Sequence, residues 1–225
     1  EAADLRGEAL ADGEARRVVL GGVDAEAGGE ALTEREYVGL VGDGGSLQSV
    51  MNKLDNVPGG QPDLTSWRVD PYRTKVPLGI GAGQFRAVGR TVGLAYSDVI
   101  RERLDGAVAR LRASAAQPQL NRLYEHVHGE STGGASGDPK AIVISSLAGG
   151  TGAGLLLDVF DILYSVHAPF RENTLGLFYT PDAFTAAANQ GGLSPNSLAA
   201  ISEVVNGAWW NGTGAPENAD ADELL

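Results

Sequence analysis

The chain contains no cysteine, which excludes disulfides and thiolate metal sites and fits a cytosolic setting. Histidine is scarce, with three residues in 225. His126 and His128 stand two apart, a spacing that suits one face of a strand, yet their surroundings read as helix followed by a glycine-rich stretch. His167 is the only other imidazole, so no histidine metal site is expected. Basic residues number 17 against 29 acidic ones, a net charge of −12, and general nucleic-acid binding, which rests on clustered Lys and Arg, is excluded. Acidic chains still bind anions where backbone amides supply the donors. No window approaches the roughly 18 uninterrupted apolar residues of a membrane helix, and no secretory leader opens the chain. A soluble, cytoplasmic protein is expected. The Asn211-Gly212-Thr213 sequon therefore carries no weight.

Glycine, by contrast, is abundant, at 32 residues, and 43% of the chain is hydrophobic, enough for a substantial core. The glycines cluster at Gly21-Gly22, Gly28-Gly29, Gly42 to Gly45, Gly59-Gly60, Gly129 to Gly137 and Gly191-Gly192, which mark loops. Between them the pattern predicts a strand near Arg17 to Val23, a loop-rich insert from Asp24 to Pro77 and a long helix from Phe85 to Ala116. In that helix Val92, Tyr96, Val99, Ile100, Leu104, Val108 and Leu111 form an apolar face, with Arg101, Arg103, Asp105, Arg110 and Arg112 on the wet one. A strand at Ala141 to Ser146, a helix at Ala153 to Val166, a strand at Thr174 to Tyr179 and a helix at Pro195 to Asn206, N-capped by Ser194, follow. Strands alternating with helices imply an α/β fold with a mostly parallel sheet, whose ligands sit at the carboxyl ends of the strands. Residues 1–207 read as one domain and 208–225 as an acidic, mobile segment. Trp67, Trp209 and Trp210 are open to a partner surface or to packing, the commoner fate of tryptophan.

The most informative stretch is Lys140 to Phe160, where an apolar β-type run meets Gly149-Gly150-Thr151-Gly152-Ala153-Gly154 and then an apolar helical run. A strand that ends in small residues and opens directly into a helix aims backbone N–H groups and the positive end of the helix dipole at one point, where phosphate binds. Glycine removes the Cβ that would hold a phosphate off, and the Thr151 hydroxyl can donate a further hydrogen bond or cap the helix. A tight strand-to-helix turn wants glycine on structural grounds alone. Three glycines alternating with small residues favour phosphate. A Walker loop is excluded, because the last glycine is followed by Leu155 and Leu156 rather than by Lys and Ser or Thr. A dinucleotide fingerprint fits poorly: the spacing is G-x-G-x-G, and the nearest acid closing a following strand, Asp182, lies beyond the usual offset of about 20 residues.

The segment from Ser146 to Gly154 resembles the glycine-rich G-G-G-T-G-[ST]-G loop of the tubulin and FtsZ superfamily, with Ala148 and Ala153 replacing usual family residues. Leu78 to Arg90, containing Gly81-Ala82-Gly83-Gln84, resembles that superfamily's loop beside the γ-phosphate. Arg17 to Glu26 resembles its second strand with a closing acidic turn at Asp24, and Leu175 to Pro181 resembles the strand leading to the ribose-side loop. Four segments in family order are more specific than any one, and the nearest subgroup is the bacterial tubulin-like proteins. The resemblance implies a three-layer Rossmann-like domain that binds GTP with Mg²⁺. Gly149, Gly150, Thr151, Gly152, Ala153 and Gly154 would hold the α and β phosphates, and Gly81, Ala82, Gly83 and Gln84 would sense the γ-phosphate. Asp24 would act on Mg²⁺ through water. Asp182 falls in the ribose-side loop, and Asn189 and Asn196 are candidates for the ribose or base.

It further implies self-association into filaments, with hydrolysis driven by an acidic loop from the next subunit. That loop is expected beyond Leu225, and the first strand and first glycine loop before Glu1, so the chain reads as an internal fragment of the GTP-binding domain, binding without turnover. Two other classes stay open. One is a tubulin-like scaffold that does not hydrolyse, consistent with Ala148 and Ala153; the other is a dinucleotide-binding oxidoreductase.

Overall fold

The computed structural model describes residues 19–21, 26–27, 30–31, 36–42, 45–56, 68–129, 138–184 and 191–205. Strand β1 (Val19–Gly21) pairs in parallel with β4 (Tyr37–Gly39), and the two-residue strands β2 (Glu26–Ala27) and β3 (Glu30–Ala31) pair antiparallel. Helices α1 (Leu47–Asp55), α2 (Arg86–Ala95), α3 (Ser97–Arg112) and α4 (Gln117–His128) follow. Then come β5 (Ala141–Ser146), α5 (Gly150–Val166), β6 (Thr174–Tyr179) and α6 (Leu193–Val205). Strands β5 and β6 are parallel over all six residues, from Ala141 beside Thr174 to Ser146 beside Tyr179. A parallel pair needs a crossover, and α5 provides it. The expected α/β class with parallel pairing and flanking helices is present.

Both of the last two strands have the expected bounds, because short β-rich runs between glycine and proline punctuation leave little choice. The loop-rich insert expected from Asp24 to Pro77 holds β2, β3, β4 and the nine-residue helix α1. The α1 signal is written in the chain: Leu47, Val50, Met51 and Leu54 are all buried on one face, and Ser46 with Ser49 forms a reciprocal capping box. The long helix expected from Phe85 to Ala116 is two helices. It breaks at Tyr96, whose φ of −121° and ψ of 22° leave the helical region, and the Ser97 hydroxyl donates to the Leu94 carbonyl at the joint. Apolar periodicity runs through such a break unchanged, since both halves bury the same side. Ile100 is fully buried and Val108 nearly so, while Arg101, Arg103, Asp105 and Arg112 stay exposed as expected; Arg110 is half-buried. Helix α6 begins at Leu193, so Ser194 lies inside its first turn rather than capping it.

The main core joins α1, α2, α3 and α5 through Val50, Leu54, Val88, Val92, Ile100, Leu155 and Ile162. Its tightest contact lies between α2 and α5. A Cβ on Gly89 would sit 2.2 Å from the Gly150 carbonyl oxygen, and one on Gly154 would sit 2.5 Å from that of Arg86. Both lie below any real non-bonded contact, so the two backbones touch only because both helices present glycine. A smaller cluster of Leu147, Ala153, Leu156 and Ala200, with Val143 and Phe160 against it, seats α6 on α5. The other face of β5 and β6 is bare among the described residues: Ile142 and Ile144 are each 62% exposed and Leu175 55%. Of the three layers expected, two are seen there.

Gly89→Ala is expected to lower the unfolding free energy by about 1–3 kcal/mol, the usual cost of overpacking. Gly106→Ala, whose new Cβ would meet only the Arg110 guanidinium at 3.4 Å, is expected to be neutral or to stabilise by up to about 1 kcal/mol. Urea denaturation of the two variants beside the unmodified chain checks the contrast.

Candidate functional site

Strand β5 ends at Ser146, and the chain turns into α5 through Leu147, Ala148 and Gly149, the N-cap. Helix α5 starts three residues earlier than its apolar run implies, so Gly150 to Gly154 are its first turn rather than a loop ahead of it. Ser146 closes the turn: its hydroxyl oxygen accepts from the Ala148 amide at 3.1 Å and the Gly149 amide at 3.4 Å. A serine followed by small residues at a strand end is a side-chain-to-backbone turn signal, and Ser146 is the residue of this site that motif reading passed over.

The segment Gly81 to Gln84 sits directly against this turn. Gly81 has a φ of 112° and a ψ of −178°, and Gly83 a φ of 55°; the first is a conformation that only glycine holds without strain. The Gly83 carbonyl accepts from the Gly150 amide at 2.6 Å, and the Ala82 amide donates to the Thr151 hydroxyl oxygen at 3.2 Å. Thr151 is thus an acceptor for the neighbouring loop and does not cap α5, while its own proton stays available to donate. A Cβ on Gly150 would fall 2.7 Å from the Phe85 nitrogen, and one on Gly152 2.4 Å from the Ser146 carbonyl oxygen. These two glycines are required by backbone contact. Gly149 differs: it has an ordinary extended φ of −82°, and nothing lies within 4 Å of where its Cβ would be. Gly149 faces open space at the helix mouth.

The Gly150 amide is used on Gly83, and the Ala148 and Gly149 amides lean on Ser146, which leaves the Thr151 and Gly152 amides at the open end of α5. A helix cannot satisfy its own first amides, and its dipole makes that end positive. Neither 78–85 nor 146–154 contains a lysine or arginine, but Arg86 lies against the turn, its Nε donating to the Ala153 carbonyl at 3.3 Å and its charge paired with Glu203, so amides, dipole and this paired cation together set the attraction for an anion there. The cavity between the two segments, lined by Leu40, Val41, Leu78, Gly81, Ala82, Gly89, Val92 and Thr151, has a volume of 20 Å³. It has room for about one water, so a polyphosphate would lie over the turn and not inside it.

Asn196, at the start of α6, is 8% exposed, and its side-chain nitrogen donates to the Gln84 carbonyl at 2.9 Å and the Ala148 carbonyl at 2.8 Å. Gln84 returns a contact, its side-chain oxygen accepting from the Gly192 amide at 2.8 Å. Asp182 is exposed on a short 3₁₀ turn and accepts from the Thr180 hydroxyl at 3.3 Å; among the described residues no hydrogen bond joins it to the glycine turn. Asp24 and Asn189 lie outside the described residues, as do Trp67, Trp209, Trp210 and the sequon. His126 and His128 lie on helix α4, and among the described residues no group of three or more His, Cys, Asp or Glu side chains is arranged to hold a metal ion.

Behind the turn lies a charged cluster. Arg86 pairs with Glu203 at 2.5 Å and Arg90 with Asp158 at 3.5 Å. Burial pushes the Asp158 carboxyl from 3.8 up to about 6; the Arg90 guanidinium opposes this, and the neighbouring charges of Asp161 and Glu203 add to it. Burial also raises Asp161, against Arg171 and Arg90.

Fold and site together define an α/β protein built around a glycine-rich strand-to-helix turn with a second glycine segment locked against it. The chain matches the family described as tubulin-like over residues 12–223, and it belongs to that family. No curated protein and no solved structure matches it. No helix among the described residues is long and apolar enough to cross a membrane.

Because the folded state holds the Asp158 proton more tightly than the unfolded chain, stability from this group is complete below pH 4 and falls as pH rises towards 6. The difference is on the order of 2–3 kcal/mol. Asp158→Asn is expected to flatten that part of the stability profile, which chemical denaturation at pH 4, 5, 6 and 7 measures.

Proposed function

We propose that this tubulin-like chain binds the phosphates of a guanine nucleotide over the Gly149–Gly154 turn and serves a nucleotide-driven, FtsZ-like filament. The observation that carries the reading is the open helix mouth: an unobstructed Gly149 beside two helix-end amides, with the second glycine segment fastened to the same turn. Thr151 and Gly152 would donate their amides to the α and β phosphates, helped by the Thr151 hydroxyl. Gly81, Ala82, Gly83 and Gln84 would border the γ-phosphate, whose arrival they would feel through the Gly83–Gly150 and Ala82–Thr151 hydrogen bonds. Mg²⁺ would complete the charge balance of such a site, taking most of its ligands from phosphate and water and needing only one or two carboxylates; Asp24, outside the described residues, would act on it through water. Asp182 would face the ribose side. In the full assembly the expected activity is GTP hydrolysis at subunit junctions in the cytoplasm.

A second reading is a tubulin-like scaffold that assembles without turnover. It is favoured by Ala148 in place of a family glycine and by the Gly150 amide, which is already used on Gly83.

Gly149→Asp separates binding from folding. Aspartate is a good N-cap, and the position has room for it, so the variant should melt at or slightly above the temperature of the unmodified chain. Its carboxylate would stand where phosphate approaches. A fluorescent GTP analogue with Mg²⁺, competed by GTP, ATP and NAD, should bind the unmodified chain, be displaced by GTP best, and lose at least ~10-fold in affinity on Gly149→Asp, given like-charge repulsion. Displacement by NAD instead would indicate a dinucleotide site. No binding to the unmodified chain would leave the scaffold.

A further inference from the structure

Asn196, at the start of α6, bridges the two glycine segments through one side chain. The side chain of Asn196 reaches two backbone carbonyls, Gln84 and Ala148, which are 112 and 48 residues away in sequence. Its neighbours at that end are both acceptors, so only the amide nitrogen can face them, and its two hydrogens are both used. The group is buried, where two satisfied donors hold position firmly and two lost donors leave two carbonyls without partners. Aspartate has the same shape and, ionised, no donor. Serine has one donor on a shorter arm. Two further contacts run alongside: the Gly192 amide, just ahead of α6, donates to the Gln84 side-chain oxygen at 2.8 Å, and Glu203 of α6 pairs with Arg86, the first residue of α2, at 2.5 Å.

We propose that Asn196 is a positioning residue, distinct from a contact to ribose or base, that locks the Gly81–Gln84 segment to the Ala148–Thr151 turn so that both face one polyphosphate. This rests on the nucleotide reading above. Any displacement of Gln84 by a γ-phosphate then pulls the Ala148 turn and the start of α6 with it. The lock matters most for a triphosphate, which needs both segments, and least for a diphosphate, which needs the Ala148 turn alone.

The test compares the 225-residue chain with its Asn196→Asp and Asn196→Ser variants by two readouts. Without nucleotide, hydrogen exchange in residues 79–86 and 146–152 should speed by about tenfold in Asn196→Asp, the loss expected for two buried hydrogen bonds. The acceleration should be smaller in Asn196→Ser, with α3 unchanged in both. With fluorescent GTP and GDP analogues and Mg²⁺, affinity for the triphosphate should fall at least ~10-fold while that for the diphosphate changes less than about threefold. Equal losses for both nucleotides, or unchanged exchange in the two segments, would overturn the positioning role. If α3 also exchanges faster in Asn196→Asp, that variant has lost its fold and Asn196→Ser decides. Failure of the unmodified chain to bind either analogue would overturn the nucleotide reading itself, an outcome distinct from normal binding that the variants leave intact.

Discussion

Helices α2 and α5 meet backbone to backbone, with Gly89 on Gly150 and Gly154 on Arg86 and no side chain between. Every feature of the site hangs from this crossing. Because the helices touch at their N-terminal ends, the segments that lead into them, Gly81 to Phe85 and Ser146 to Gly149, are brought side by side. Hydrogen bonds from Gly150 to Gly83 and from Ala82 to Thr151 then fasten them. Dispersion at such a distance is strong because many atoms meet, and one added methyl removes it.

The glycine-rich turn therefore serves two demands that differ residue by residue. Gly150, Gly152 and Gly154 are glycine because backbone lies where a Cβ would go; Gly149 is the one whose missing side chain leaves solvent. A motif that resembles a phosphate loop has most of its glycines committed to packing, and the part proposed to meet a ligand is the helix mouth made by Gly149, Thr151 and Gly152. Ala148 and Ala153, the two departures from the usual family residues, are both buried. Neither occupies the open mouth.

Much of this was legible in the chain. Strands β5 and β6 and the turn between β5 and α5 were marked by β-rich runs and by small residues. The family followed from four segments in order. What sequence did not reveal arose from contacts between distant residues. The break at Tyr96 is invisible to periodicity because both halves bury the same side, and the part of α1 that could be read, its Ser46 to Ser49 box, was outweighed by the surrounding glycines. For Asn196, an asparagine near a helix start carries no mark of its partners in sequence; its two carbonyl acceptors appear only when the fold brings Gln84 and Ala148 together.

The face of β5 and β6 that is bare among the described residues has a thermodynamic meaning. Strands apolar on both sides belong to sheets enclosed on both sides, and Ile142, Ile144, Leu175, Leu177 and Tyr179 line up on the side where the described helices do not pack. Burying one such aliphatic side chain is worth about 1.5–3 kcal/mol, so this strand pair holds several kilocalories of unspent affinity. Any body that covered this face would raise the melting temperature of the fold with its occupancy, by simple mass action.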